Sequence, residues 1–372
     1  MTYFRRILVT GADGFIGRNL VIRLQESAGT EVMHFVRGDS NEKLRELVLK
    51  ADAIVHLAGE NRPVNDESFA LVNTKLTQDL CDAIFAVERN IPLIFASSIQ
   101  ASLDNPYGKS KLAAEQIIEA FVNQTNNFSV IYRLPGVFGK WCKPNYNSVV
   151  ATYCYNITRD LPIQINAASV NLQLVYIDDV VDDFLRVLDN PQAGLVRRNI
   201  EHIYNIALRD LANQIIAFKK CRKNLIVESV GSGFLRALYS TYISYLPLDQ
   251  FVYDIPRHGD DRGIFVEMLK TKDSGQFSFF TVHPGVTRGS HYHHTKTEKF
   301  LVVKGIAKMR FRHLISGERC EFLISSDKPQ VVDSIPGWVH DITNIGACEV
   351  IVMLWANEIF DRQHPDSIPC KV

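Results

Sequence analysis

Eleven residues near the start, Ile7-Leu-Val-Thr-Gly11-Ala-Asp-Gly14-Phe-Ile-Gly17, limit what this chain can fold into more than any other stretch. A short apolar, β-branched run leads into a glycine turn, and the turn into an amphipathic helix pattern over Phe15–Glu26. In such a strand–turn–helix unit Gly11 permits the tight turn, Gly14 lets the backbone approach a pyrophosphate, and Gly17 lets helix and strand pack closely. The helix start, with Phe15 and Ile16 in its first turn, then offers unpaired N–H groups and a positive dipole to phosphates. Three glycines at this spacing also occur as a bare structural turn; the strand before them and the helix after them favour a dinucleotide site.

The same alternation continues to about residue 190. Ile7–Thr10, Glu31–Val36, Ala53–Leu57, Leu93–Ala96 and Ser129–Arg133 read as strands, with helical patterns such as Tyr107–Asn123 between them. Strand–helix alternation predicts parallel βαβ units, an α/β Rossmann fold with a doubly wound sheet. The end of the second strand chooses the cofactor: a carboxylate there suits the ribose hydroxyl of NAD, a cation the 2′-phosphate of NADP. Arg37 stands at that place, so NADPH is expected, unless Arg37 is only a solvated strand end.

Tyr107 and Lys111 lie one helical turn apart, just past Pro106, and so share a helix face. An ammonium there, with the charge of an oxidised nicotinamide, lowers a phenol pKa and makes the tyrosine a proton donor or acceptor. A lone YxxxK is usually plain helix surface, but here Ser98 ends the preceding apolar strand and can bond the same substrate carbonyl.

Together TGADGFIG, His56-Leu-Ala-Gly59, Val72-Asn73, Ser97-Ser98, Pro106–Lys111, Arg133–Gly139 and Tyr176-Ile-Asp-Asp179 resemble extended short-chain dehydrogenases acting on nucleotide sugars. The resemblance covers about residues 5–200. It implies Ser98, Tyr107 and Lys111 as the catalytic triad, and Leu57, Ala58, Gly59 and Lys111 beside the cofactor. By motif position Arg133, Lys143 and Asn145 fall to the nucleotide-sugar pocket. Ser98 and Tyr107 are only nine residues apart, where that group has a longer link, and this leaves Ser97 as an alternative to Ser98.

After about residue 250 the texture changes to short alternating segments punctuated by Gly, Pro, Asn and Asp: Phe277–Val282, Glu298–Val303, Ala307–Phe311, Glu321–Ile324, Gln330–Ser334 and Glu349–Trp355. They predict an antiparallel sandwich or barrel. Residues 200–250 fit neither texture, and the expected division is 1–246 and 247–372. Within the second half stand Gly285-x5-His291-Tyr-His293-x4-Glu298-x6-Gly305 and Pro336-Gly337-Trp-Val-His340-x3-Asn344. On a strand, His291 and His293 would face one side, with Glu298 and His340 arriving from neighbouring strands. Three imidazoles and a carboxylate suit zinc foremost, or manganese, iron or nickel. A surface histidine cluster would explain one HxH but not the glutamate and distant histidine in register. The pattern is similar to the two motifs of the cupin (jelly-roll) family.

Asp254-Ile-Pro-Arg-His-Gly-Asp-Asp-Arg-Gly263, the HxH segment and Trp141–Ser148 carry a resemblance of the whole chain to the CapF family of bifunctional capsular polysaccharide synthesis enzymes and their O-antigen counterparts. It implies a cytoplasmic homodimer in which the cupin epimerises C3 of a UDP-2-acetamido-2,6-dideoxy-4-hexulose. The reductase then reduces the C4 ketone with NADPH, giving UDP-2-acetamido-2,6-dideoxy-L-talose on the route to UDP-N-acetyl-L-fucosamine. The base at C3 is open among His294, Tyr292, Lys299, Lys304 and Asp261. Other readings are an NAD-dependent 4-epimerase or dehydratase whose cupin only dimerises, and a non-catalytic sensor, which intact Tyr107 and Lys111 disfavour.

Charge argues against other partners. Lys+Arg and Asp+Glu balance at 41 each, so no net field favours nucleic acid or an anionic membrane. No apolar run approaches the length of a bilayer span. Met1–Thr10 is too short an apolar run for a signal peptide, and seven scattered cysteines without CxxC suggest reduced thiols.

Overall fold

The computed structural model describes residues 5–61, 69–165, 170–255, 257–260, 263–266, 269–271, 275–358 and 363–372. The chain divides into two compact units, one of residues up to 148 with 172–205, the other of 149–171 with 206–372.

The first unit is built on strands β1 (Arg5–Thr10), β2 (Thr30–Phe35), β3 (Ala53–His56), β4 (Leu93–Ser98) and β5 (Ser129–Leu134). Two short parallel strands follow, β6 (Gly136–Phe138) and β7 (Asn171–Tyr176), and β8 (Leu195–Arg198) closes the main sheet. Its order is β2-β1-β3-β4-β5-β8, parallel throughout. Helices α1 (Phe15–Gln25), α2 (Asn41–Lys50), α3 (Leu76–Phe85) and α4 (Pro106–Thr125) connect the strands, and α3 is entered through a π-helical turn, Ala70–Lys75. Ser40 caps α2 by accepting from Lys43 N, and Asn105 caps α4 by accepting from Gly108 N. Leu8, Ile54, Leu80, Phe95, Ile118 and Ile131 are buried between sheet and helices.

The chain leaves β1 toward β2 on one side and returns to β3 on the other, so the carboxyl ends of β1 and β3 flank the point where strand order reverses. In such sheets that crevice takes the ligand. A Cβ at Gly17 would lie 2.3 Å from Gly11 O and 2.7 Å from Ala12 O, both main-chain atoms. Gly17→Ala must therefore push α1 off the turn. It is expected to lower stability by about 2–4 kcal/mol, read as a fall in the denaturation midpoint; an unchanged midpoint would contradict this close approach.

In the second unit α5 (Val149–Thr158), α7 (Leu208–Asn224) and α8 (Gly233–Ser244) pack on one another; α6 (Ile177–Asp189) belongs to the first unit. Two five-stranded antiparallel sheets follow. With β9 (Val252–Asp254), β10 (Gln276–Val282), β11 (Thr287–Tyr292), β12 (Glu298–Lys304), β13 (Ile306–His313), β14 (Arg319–Ser325), β15 (Gln330–Asp333), β16 (Trp338–Asn344), β17 (Val350–Ala356) and β18 (Ile368–Pro369), their orders are β9-β15-β12-β17-β10 and β14-β13-β16-β11-β18. These facing sheets make a cupin-like domain.

Residues 206–250, without a clear pattern in sequence, are tied to these strands by a buried charge cluster. Asp333 accepts from Lys299 Nζ at 2.5 Å and from Arg222 at 2.7 Å, and the Arg222 guanidinium lies 4.7 Å from the centre of the Tyr253 ring. Both buried cations share the one Asp333 carboxylate, a charge-assisted pairing that makes their burial tolerable. Among the described residues no helix is long and apolar enough to cross a membrane.

Candidate active site and candidate metal centre

The first site is assembled where β1, β3 and α4 meet. Gly11 has φ +69°, and a Cβ there would fall 2.7 Å from Ala58 N, so the glycine turn lies against Leu57-Ala58-Gly59. Gly14, the N-cap of α1, has no side chain with which to cap it. The two backbone segments thus leave a cradle lined by main chain, the surface a pyrophosphate needs.

Beneath it runs a hydrogen-bonded chain whose direction can be assigned. Thr10 Oγ1 accepts from Leu57 N and Ala58 N, so its own hydrogen goes to His56 Nδ1 at 2.6 Å. His56 Nε2 then donates to Thr77 Oγ1 at 3.0 Å, and Thr77 donates to Asn73 O. Burial, helped by the charge of Lys111, pushes the His56 pKa down to about 3 and keeps the ring neutral. Asn73, in the π-helical turn, grips Glu60 by both its N–H and its carbonyl and donates to Ser110.

Lys111 is buried, donates to Ala96 O at 3.0 Å and lies 5.0 Å from the Phe95 ring centre. A Cβ on Gly59 would sit 3.1 Å from its Nζ, so glycine leaves the ammonium room beside the cradle. Desolvation brings its pKa down to about 8, against the pull of Glu115. Tyr107 shares the helix face of Lys111, and the Ser98 side chain is near its phenol. Burial raises the phenol pKa, a shift that the Ser98 hydroxyl opposes. The lowering expected from sequence relied partly on a nicotinamide charge; without it, desolvation dominates.

The structure separates the two serines. Ser97 donates to the buried Glu115 carboxylate at 2.5 Å, and Glu115 is forked by Arg133 at 2.7–3.1 Å. Ser98 faces Tyr107 instead. The short link closes because Ile99–Ser102 forms a 3₁₀ turn on which the start of α4 rests: a Cβ at Gly108 would fall 2.2 Å from Gln100 O. Arg133 is committed to Glu115, with Ser102 on its outer nitrogen. Arg37 is 84% exposed and pairs with Glu60 at 2.7 Å, a carboxylate that also accepts from Tyr146. Lys143 lies over the Tyr146 ring, and Asn145 adopts φ 53° in the same exposed turn.

In the second unit His291, His293, Glu298 and His340 offer four donor atoms within 4.8 Å of one another. The ladder slips between Gly289 and His291, with Ser290 at φ 57°, ahead of both histidines, and β11 ends at Tyr292. The His291 and His293 rings, two residues apart as alternation expects, lie 4.9 Å from each other, and His340, paired with His291 across the ladder, lies 4.8 Å from it.

The donor set fits a cation. His293 Nδ1 donates to the Asp366 backbone carbonyl, which leaves a neutral ring's lone pair on Nε2, 3.1 Å from Glu298 Oε2. Two acceptors at that distance call for a proton or metal ion between them. His340 is buried, with neither ring nitrogen in a well-formed hydrogen bond. Burial and the neighbouring imidazoles bring the His291 pKa down to about 4. Burial pushes Glu298 up, yet His293, His340 and Lys296 outweigh it and hold the carboxyl well below the usual range. Burial also lowers the His340 pKa, and imidazoles held neutral beside an ionised carboxylate are the ligand forms a metal takes.

Residues 7–207 match the NAD dependent epimerase/dehydratase family, and residues 258–368 the polysaccharide biosynthesis C-terminal domain. A UDP-2-acetamido-2,6-beta-L-arabino-hexul-4-ose reductase from Pseudomonas aeruginosa is 53% identical over 367 residues, 99% of either chain. The crystal structure of the capsular polysaccharide assembling protein CapF from Staphylococcus aureus is 39% identical and superposes with TM-score 0.67, covering 99% of this chain and 100% of that one. The chain belongs to the NAD dependent epimerase/dehydratase family, in its CapF branch. A UDP-glucuronic acid 4-epimerase from Bacillus cereus, 19% identical with TM-score 0.52 over 59% of this chain, shares the fold of the first half.

In this CapF-family chain three of the four donors, His291, Glu298 and His340, line a cavity of about 280 Å³ together with Phe279, Phe300, Arg288 and Asp341. The proposed base positions do not line it. Lys299 is in the buried cluster with Asp333, Tyr292 and His294 are buried elsewhere, and Lys304 is exposed at the end of β12. Asp261 lies outside the described residues. Asp341, which sequence reading passed over, does line the cavity, but Arg310 forks onto it at 2.7 and 2.9 Å. Asn344, the last residue of the second motif, is a loop clamp: it donates to Val282 O and Cys348 O.

Proposed function

We propose that this chain is an NADPH-dependent UDP-sugar 4-ketoreductase that also epimerises C3. The cupin half inverts C3 of a UDP-2-acetamido-2,6-dideoxy-4-hexulose. The reductase half then reduces the C4 ketone, giving UDP-2-acetamido-2,6-dideoxy-L-talose on the route to UDP-N-acetyl-L-fucosamine. What carries the reading is the ketoreductase relative matched along the whole chain; Lys111 beside Gly59, with Tyr107 one helical turn away, supports it. The working division is 1–246 for the reductase and 247–372 for the metal-binding domain, in a cytoplasmic homodimer.

When bound, the nicotinamide supplies a hydride and the divalent ion, zinc foremost, supplies Lewis acidity next to the sugar. Gly11, Gly14, Phe15, Ile16, Gly17 and Leu57–Gly59 would hold the dinucleotide, and His291, His293, Glu298 and His340 the ion. Ser98 orients the ketone oxygen, and the Tyr107 phenol gives that oxygen its proton. Lys111 holds positive charge beside the phenolate that remains. Burial, which keeps the Tyr107 phenol protonated, suits a group that must donate in the reducing direction. A C4 ketone makes the C3 proton removable, and its later reduction fixes the inverted centre, so one ketone serves both halves.

Full-length protein without NADPH, given the 4-keto sugar in heavy water, should place deuterium at C3, and a chelator should stop it. No incorporation from metal-loaded protein would overturn the epimerase half of the reading.

Arg37 tests the cofactor. Its guanidinium, parked on Glu60, is free to turn to a 2′-phosphate, and a charge-assisted contact of that kind contributes about 1.5–3 kcal/mol. Arg37→Ala is expected to weaken NADPH binding by roughly 10- to 100-fold while leaving NADH binding nearly unchanged. Equal losses for both cofactors in calorimetric titrations would rule out 2′-phosphate recognition by this residue.

A further inference from the structure

The His293-to-Glu298 connection carries two of the four donors, and its backbone is held from outside by the C-terminal tail. Residues 368–369 pair with β11, opposite His291 and Tyr292, and Cys370 N donates to Ser290 O at 2.8 Å. Two residues upstream of that strand, the Asp366 carboxylate accepts from His294 N at 2.8 Å and from Thr295 N and Lys296 N at 2.7 Å each. The Thr295 hydroxyl adds a fourth donor at 3.1 Å. Three successive N–H groups closing on one carboxylate make a backbone nest. Burial pushes the Asp366 carboxyl up, but His293, His294 and these N–H donors hold it well below the usual range.

The same residue acts a second time. Its backbone carbonyl accepts from His293 Nδ1. A carbonyl only accepts, so the contact fixes the proton on Nδ1 and directs the Nε2 lone pair at the site.

We propose that Asp366 is the positioning residue of the metal centre: its carboxylate docks the tail in the 294–296 nest, and its carbonyl thereby sets the tautomer and rotation of His293. Outer groups that orient a ligating histidine usually come from the surrounding scaffold. Here the group comes from a segment 73 residues downstream, so the centre is complete only with that segment in place. The inference rests on the metal reading above, and its test is arranged to tell the two apart.

Full-length protein, Asp366→Asn and Asp366→Ala are stripped of metal and titrated with zinc against a competing chelator. Each is also loaded with cobalt for its visible spectrum and melted metal-free. Every variant keeps the backbone carbonyl, so a change in the metal site reports on where the carboxylate puts it. Zinc affinity should fall about 10- to 100-fold, with an altered cobalt spectrum and a metal-free melting temperature close to that of the parent. Should Asp366→Ala fail to fold, Asp366→Asn, which keeps one acceptor oxygen, carries the measurement. Zinc affinity and cobalt spectrum equal to the parent's would overturn the proposal. So would a variant that melts lower metal-free but keeps the parent spectrum, since the tail would then be only a structural strap. A parent that binds no zinc would refute the metal reading itself, and this inference with it.

Discussion

Tyr107→Phe should lower the rate of NADPH-dependent ketone reduction by about 10³-fold, the range in which a positioned proton donor contributes. The ring and its packing 5.8 Å from Phe69 survive the change, so melting temperature and NADPH affinity should stay near parent values. Deuterium uptake at C3 should also survive, because the donors implicated there lie in the other compact unit. Loss of both activities together would contradict the division of labour. The pH profile gives a second reading of the same site. With its pKa near 8, Lys111 is a cation below that pH and loses its charge as pH rises through it. Reduction should therefore hold on the acid side and decline above about pH 8, while the binding of NADPH to its glycine cradle does not follow that profile.

The parts of this molecule written in local pattern were legible in the sequence. β1, the glycine turn and α1 were, because each glycine answers a contact within a few residues or one strand away: Gly17 against Gly11 O, Gly11 against Ala58 N. The pair Tyr107 and Lys111 was legible because helical spacing alone puts them on one face. The four donors of the second site were found by type and spacing, His291 and His293 by the period of two that leaves their rings 4.9 Å apart. The bulge at Ser290 just before them has no period to read.

What stayed hidden depends on distant pairs. Whether Ser97 or Ser98 faces Tyr107 follows from Glu115 and Arg133, which draw Ser97 to the other side. Lys299, a basic residue one position from a donor, looks like a catalytic group in sequence. Its ammonium instead meets Asp333, 34 residues on, beside Arg222 from a helix whose polar pattern gave no clue to that contact. Asp366 is the extreme case, since nothing between residues 294 and 366 marks the pairing.

Removing the metal, or one of its ligands, should have the mirror-image effect of Tyr107→Phe. His291→Ala takes away an imidazole that lines the cavity and lies 4.8–4.9 Å from the rings of His293 and His340. With three protein donors left, the ion should be held much more weakly, and deuterium uptake at C3 should fall by about 10²-fold or more at limiting zinc. Added chelator should bring the parent protein to the same level, and restored zinc should rescue the parent more fully than the variant. Reduction of a ketone already inverted at C3 should persist within about threefold in either case, since Tyr107, Ser98 and Lys111 are untouched. The competing view, in which the cupin only joins two copies of the chain, makes a different forecast: chelation would lower stability or dissociate the dimer and leave exchange intact. Measuring exchange, reduction and sedimentation on the same chelated sample separates the two. The decisive observation is whether C3 exchange stops while the protein remains folded, because a folding scaffold has no reason to gate the loss of one sugar proton.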